Sequence, residues 1–309
     1  MNTILRKQFL AHVGQTSPSP MLVEVARAEG SFFYTPDGKR YYDLVAGVSV
    51  SNVGHCNPDV VRAVQEQAAR YMHVMVYGEM VESPQVTYAA RIAAALPAPL
   101  DSVYFVNSGA EAVEGALKLA KRFTGRTEIV SMRRAYHGST HGAMSVMGAP
   151  EGEEWKGAFR PLLPDVQAIS FNDFDDLSRI TRRTACVLAE PVQGEAGVRP
   201  PRAGYLEALR RRCDEVGALL IFDEIQTGMG RTGILAQTPE TRTQAVEEIQ
   251  QIYHMPGLRV TGVFTHFSVA DDPEQDDYTR WQMENYRAVL SEMEARGLEP
   301  GVRHAGNSA

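Results

Sequence analysis

Hydrophobic and polar positions change their rhythm four times along the chain. The first thirty residues hold no sustained period and read as an arm closed by a turn at Gly30. In FFYTPDGKRYYDL (32–44), aromatic-rich runs flank Asp37-Gly38, the signature of a β-hairpin. NPDVVRAVQEQAARYMH (57–73) takes up the spacing of an amphipathic helix, with Asn57 as N-cap and Pro58 at its first position. SPQVTYAARIAAALP (83–97) predicts another helix.

From 103 to about 226 short apolar runs take over, namely VYFVN (103–107), EIVSM (128–132), VQAIS (166–170), ACVLAE (185–190) and ALLIFDEI (218–225). Helical stretches separate several of them, which predicts a largely parallel sheet with helices on its faces. Such an α/β layout places ligands at the carboxyl ends of the strands. After Gly233 the texture changes again. TPETRTQAVEEIQQIYHM reads as a helix, LRVTGVFTHF as a strand, YTRWQMENYRAVLSEMEARG as a long helix and VRHAGNSA as a second strand.

Composition narrows the class without naming it. The 309 residues suffice for a large core, and 44% hydrophobic with 22% charged residues is ordinary for a globular chain. A net charge of −7 without a basic stripe argues against a nucleic-acid binder, since phosphate neutralisation needs clustered Lys and Arg. Nothing reaches transmembrane length and the opening residues lack an apolar signal region, so no membrane association is expected. Cys56, Cys186 and Cys213 are odd in number and widely spaced, which fits buried thiols in a reducing cytoplasm.

Four stretches hold candidate chemistry. VYFVNSGAEA runs a strand through Ser108, Gly109 and Ala110 into a helix, where small residues and helix-end amides suit an anion; an ordinary capped turn fits equally. AYHG places Tyr136 where an aromatic face can stack on a flat heterocycle. His137 and His141 lack the further ligands a zinc site needs. In AEPVQGEAGV, Glu190 and Glu195 flank a glycine-rich turn, either as surface caps or as substrate-facing groups. Asp223 ends an apolar strand, which is costly unless it meets a cation such as a protonated pyridine nitrogen. Gly228-Met-Gly230-Arg-Thr-Gly233 spells a dinucleotide motif, but ILAQTPE follows it instead of an apolar helix.

Taken together, GKRYYDL, GHCNPDV, NSGAEA, AYHG, EPVQGEAG and DEIQTGMGRTG make residues 1–233 resemble the class III aminotransferases of the ornithine, acetylornithine and 4-aminobutyrate group. The resemblance implies an α/β fold of the aspartate aminotransferase-like, fold type I kind and the cofactor pyridoxal 5′-phosphate (PLP). It also implies an amino acid or amine and a 2-oxo acid as substrates, and a homodimer. It implies an arm and small-domain segment over 1–60 and a truncated large domain over 61–233. By position, Ser108, Gly109 and Ala110 would cradle the phosphate, while Tyr136 and Ile225 would pack on the ring. His137 lies in the same motif, Asp223 would face the ring nitrogen and Gln226 the ring hydroxyl. Glu190 and Glu195 would gate substrate, Glu195 matching an acid that controls a carboxylate-reading arginine.

The family's catalytic lysine follows GRTG, and here the lysines are Lys7, Lys39, Lys118, Lys121 and Lys156, with none later. The catalytic position therefore has no counterpart, and weak or absent turnover is expected. In the resembled fold two more strands lie between 103–107 and the rest of the sheet, so an incomplete sheet with open edges is expected.

Residues from about 227 onward resemble alanine racemase, a PLP enzyme built on a (β/α)8 barrel, through TGMGRTG, GVFTHFSVADD, DDYTRWQ and RHAGNSA. That resemblance implies a barrel fragment over 234–309 and active-site remnants at Arg231, His266, Asn307 and Ser308. A chimera joined at TGMGRTG follows, either a weakly PLP-binding transaminase or a non-catalytic partner of an intact subunit. One rescue is expected to be testable by structure, with 258–267 pairing against 103–107 to fill the sheet.

Overall fold

The computed structural model describes residues 4–75, 78–97, 99–148, 154–232, 243, 246–247, 249–250, 253, 262–266 and 276–306. Two compact units divide the chain, Met1–Phe105 and Val106–Ala309. The first opens with helix α1 (Ile4–His12), then an antiparallel sheet in the order β1 (Arg27–Glu29), β2 (Phe32–Tyr34), β3 (Arg40–Tyr42). The β2–β3 hairpin forms as expected because Gly38 takes a φ of +82° at little cost. Phe33 then stacks on Tyr41 across the strands at 5.1 Å. The arm is more ordered than its sequence suggests, since β1 registers Glu29 against Phe32.

After the single turn α2 (Ala46–Ser49) come α3 (Pro58–Arg70) and α4 (Ser83–Ala95). Asn57 caps α3, its Oδ1 accepting the amides of Asp59 at 3.0 Å and Val60 at 3.4 Å. Yet α1, α3 and α4 contain no buried residue.

The second unit is built on a parallel sheet. Helix α5 (Gly109–Thr124) leads to β4 (Glu128–Met132), α6 (His141–Val146), α7 (Glu154–Gly157), β5 (Val166–Ile169), β6 (Thr184–Ala189), α8 (Tyr205–Val216) and β7 (Leu219–Phe222). The four strands lie in the order β5-β4-β6-β7. Because successive strand residues face opposite sides, Val130, Met132, Val187 and Ala189 pack against Tyr205, Leu209 and Cys213 of α8. Ile129, Cys186 and Leu188 pack on the other side against Val113, Leu117 and Ala120 of α5 and against α6. Cys186 and Cys213 are buried as expected, and burial pushes each up to about 11, so they serve as small apolar side chains, whereas Cys56 is exposed, against expectation.

One expected strand is absent. VYFVN (103–107) forms no ladder among the described residues. A strand needs a neighbour for its amides and carbonyls, and none of the described strands takes these residues as a partner.

Near the end of the chain β8 (Gly262–His266), α9 (Asp276–Ala295) and β9 (Val302–Gly306) form a parallel βαβ unit. Val246, Tyr286, Val289, Leu290, Met293 and Leu298 form a separate core there. The rescue is thereby overturned. β8 pairs with β9, Val263 opposite Arg303, and not with 103–107. The α9 crossover, carrying four residues of that core, delivers β9 as a parallel partner, so β8 pairs with the strand that follows it in the chain. Among the described residues no helix is long and apolar enough to cross a membrane.

Candidate active site

Three strand ends and one helix start converge on a cavity of about 270 Å³. Ser108, Gly109, Ala110, Tyr136, His137, Glu190, Asp223, Ile225 and Gln226 all line it. Residues separated by up to more than a hundred positions thus meet where a parallel sheet is expected to hold its ligand.

Ser108 is the N-cap of α5, accepting the Glu111 amide at 3.2 Å, and Glu111 in turn accepts the Asn107 amide at 2.7 Å. This is half of a capping box, with the Glu111 carboxylate returning to the residue before the N-cap, so the ordinary structural use of Ser108 is real. It leaves the hydroxyl proton available to a ligand. The amides of Gly109 and Ala110 have no acceptor among the described residues, as expected for the first turn of a helix. They present partial positive charge to the cavity.

β4 delivers Tyr136 and His137 through a turn in which Arg134 has a φ of +64°. Tyr136 is 45% exposed, an aromatic face left open at the cavity. Gly138 follows with a φ of +119°, and a Cβ there would meet Ala110 Cβ at 2.6 Å. Only glycine lets this loop approach the α5 start so closely.

β6 and β7 position the acids. The Asp223 amide donates to Ala189 O at 2.9 Å, continuing the β6–β7 pairing one step beyond the strands. Asp223 Oδ2 lies 2.8 Å from His137 Nδ1, both side chains buried, and Oδ1 accepts the Ile225 amide at 3.1 Å. The His137 Nε2 atom is buried without a partner among the described residues. Glu190 is also buried and accepts the amides of Tyr136 at 3.2 Å and Gly194 at 3.1 Å. Burial pushes its carboxyl above the ordinary range, and the two amide bonds only partly oppose this.

Not every expected residue reaches the cavity. Glu195 stands outside its wall and accepts from Gln226 Nε2 at 2.8 Å, so Gln226 bridges cavity and acid. Arg231 lies in the turn after β7, its amide donating to Gly228 O at 3.0 Å, and is not among the described lining residues; His266 ends β8. Asn307 and Ser308 lie outside the described residues. Gly138, Ser139, Val192 and Thr227 line the cavity without having been singled out. Gly138, Val192 and Thr227 lie inside the quoted motifs and Ser139 adjoins one, so membership of a motif was the signal available.

The wall fits PLP on its own geometry. A 16-residue helix aims unpartnered amides at one part of the cavity. A buried carboxylate, fixed by a histidine and an amide, lies at another. No lysine is among the described lining residues.

Comparison with known proteins accounts for this arrangement. The family profile "Aminotransferase class-III" matches residues 13–275. The acetylornithine aminotransferase of Methanopyrus kandleri is 45% identical over 214 residues, covering 68% of this chain and 53% of that protein. Its Clostridium acetobutylicum namesake is 42% identical, covering 68% of this chain and 54% of that protein. Among solved structures, Toxoplasma gondii ornithine aminotransferase aligns with a TM-score of 0.63 at 30% identity, covering 74% of this chain and 55% of that one. The adenosylmethionine-8-amino-7-oxononanoate aminotransferase of Methanocaldococcus jannaschii aligns with a TM-score of 0.68 at 26% identity, covering 80% and 59%. The chain spans about half the length of the curated relatives it matches.

Proposed function

Because this chain belongs to the class III aminotransferases, a PLP-dependent family, we propose that the cavity at the ends of β4, β6 and β7 is a PLP site for amino-group transfer. The substrates are an amino acid or amine and a 2-oxo acid, with acetylornithine the first donor to try in view of the relatives. The buried His137–Asp223 pair facing the α5 start carries the reading.

Bound PLP would supply an electron sink for the amino-bearing carbon. Gly109 and Ala110 amides, with the Ser108 hydroxyl, would bind the phosphate. Asp223, oriented by His137, would hold a proton at the ring nitrogen. Tyr136 and Ile225 would pack on the ring, Gln226 would lie toward the ring hydroxyl, and Glu190 and Glu195 would control the substrate side.

Turnover is weak in this reading. A positioned amine has an effective concentration on the order of 10⁵ M or more, so millimolar free amine replaces a missing lysine poorly. PLP added to purified chain should raise its unfolding temperature while giving little borohydride-stable attachment and slow amino-group exchange. Fast exchange with one lysine labelled would overturn the impairment, and no thermal or spectral change would overturn the site.

The domain reading remains a small-domain segment over 1–60, a large domain over 61–233 and a racemase-like barrel fragment over 234–309. The parallel β8–α9–β9 unit supports a (β/α)-type fragment. A continuous native read through the codons around Gly233 would separate a natural fusion from a misassembly. A second reading, a non-catalytic partner that pairs with an intact subunit, is favoured by the unburied faces of α3 and α4. Co-expression with a full-length relative followed by affinity capture tests it, and separate elution of the two chains would reject it.

A further inference from the structure

A larger cavity, about 590 Å³, lies on the α6 face of the sheet and shares no lining residue with the proposed PLP site. Its wall includes Arg133, Lys156 and Arg160, with Ser131 and Ser145, and no acidic side chain among the described lining residues. The two arginines are exposed, whereas Lys156 is 4% and Ser131 1% exposed. The wall therefore runs from guanidinium groups that solvent reaches to a buried ammonium and a buried hydroxyl.

The scaffold around these groups is tied down. Lys156 Nζ donates to the carbonyls of Ser145 and Met147, fixing the ammonium against the end of α6. Ser145 Oγ donates to His141 O at 2.6 Å and accepts the Leu163 amide at 3.0 Å, which clips the 156–163 segment to that helix. Ser131 belongs to β4 and registers with Ala168 of β5, and both line the cavity. Its Oγ has no hydrogen-bond partner among the described residues. A buried hydroxyl left unpaired is costly unless something in the adjoining space completes it.

Three basic side chains and a hydroxyl without a hydrogen-bond partner among the described residues line one space, in a chain of net charge −7. We propose that this cavity is an oxyanion site that takes phosphate, free or as a small monoester. Arg133 and Arg160 bind from the outer side, Lys156 supplies charge from the interior, and the Ser131 hydroxyl completes the coordination.

PLP-free protein is titrated with inorganic phosphate at an ionic strength held constant with chloride, read by unfolding temperature and by ³¹P line width. Saturable binding is expected. Arg133→Gln and Arg160→Gln should each weaken it about tenfold, as loss of a charge-assisted hydrogen bond implies. Ser131→Ala should weaken it about threefold to tenfold without lowering the unfolding temperature in phosphate-free buffer, because it removes an unpaired group. Gly109→Val, which would clash with Ile225 at the α5 start, should leave this binding intact while blocking the PLP cradle. The same series with a small phosphate monoester distinguishes the two ligand sources. Binding that survives both arginine substitutions in the Gly109→Val background, or that Gly109→Val alone abolishes, overturns the proposal, as does a titration no different from chloride alone. A PLP site that fails its own test leaves these outcomes unaffected.

Discussion

Met1–Phe105 and the sheet-bearing part of the second unit hold matching parts put to different use. Each has a capped amphipathic helix, α3 with Asn57 and α5 with Ser108. α5 buries Val113, Leu117 and Ala120 against strands, whereas α3 buries nothing and its Val61 and Val64 stay exposed. Each part also has an Asp–His pair. Asp43 and His55 lie 2.7 Å apart with side chains 14% and 26% exposed, whereas Asp223 and His137, at 2.8 Å, are 5% and 0% exposed. The lesson is that pattern and pairing chemistry do not set energetic weight. Burial against a neighbour does.

The largest test of this contrast is core truncation. Leu188→Ala, in a strand covered on both faces, should cost about 2–5 kcal/mol in chemical denaturation. Val64→Ala in α3 should stay within about 0.5 kcal/mol. Equal costs would mean that the α3 face is covered in solution.

The paired acids give the next contrast. His137→Ala leaves buried Asp223 short of a partner and should cost about 1–3 kcal/mol while weakening PLP binding. His55→Ala should cost at most about 1 kcal/mol, and less in high salt. A His55 effect as large as that of His137 would refute the burial argument.

The caps should erase the difference, because their bonds are local. Asn57→Ala and Ser108→Ala should each cost about 1 kcal/mol, read as lost amide protection in the first turn of each helix. Ser108→Ala alone should also weaken PLP binding.

The smallest effects are in pH dependence, and they carry opposite signs. Burial raises Glu190, so its contribution is full below the ordinary value of 4.5 and is lost as pH climbs through the raised value. The hydrogen bond from His55 lowers Asp43, so its contribution is present above 3.8 and is lost as pH falls through the lowered value. Glu190→Gln should flatten the stability curve just above pH 4.5, and His55→Ala should flatten it below 3.8. An unchanged acid limb in the His55 variant would remove that pair from the account.

Much of this was legible beforehand. Helix spacing and caps located α3, α4, α5 and α9, and the aromatic runs around Asp37-Gly38 gave the β2–β3 hairpin. Apolar runs located β4 through β7 to within a few residues, and four separated motifs supplied nearly every residue lining the smaller cavity. β1 was missed because RAE has no strand composition and pairs only because β2 is beside it. Glu195 was expected in the site but stands one hydrogen bond away, held by Gln226.

The sequence alone determined what closes locally, namely the caps, the hairpin turn, the helix lengths and the identity of the cofactor motifs. Those bonds form between residues a few positions apart, so neighbouring letters encode them. Tertiary structure alone decided that, among the described residues, VYFVN forms no ladder and α3 buries no side chain, that β8 joins β9 and that His137 meets Asp223. A strand's amides, an apolar face and a buried charge are each satisfied by groups distant in the chain, and only the packed fold supplies or withholds them.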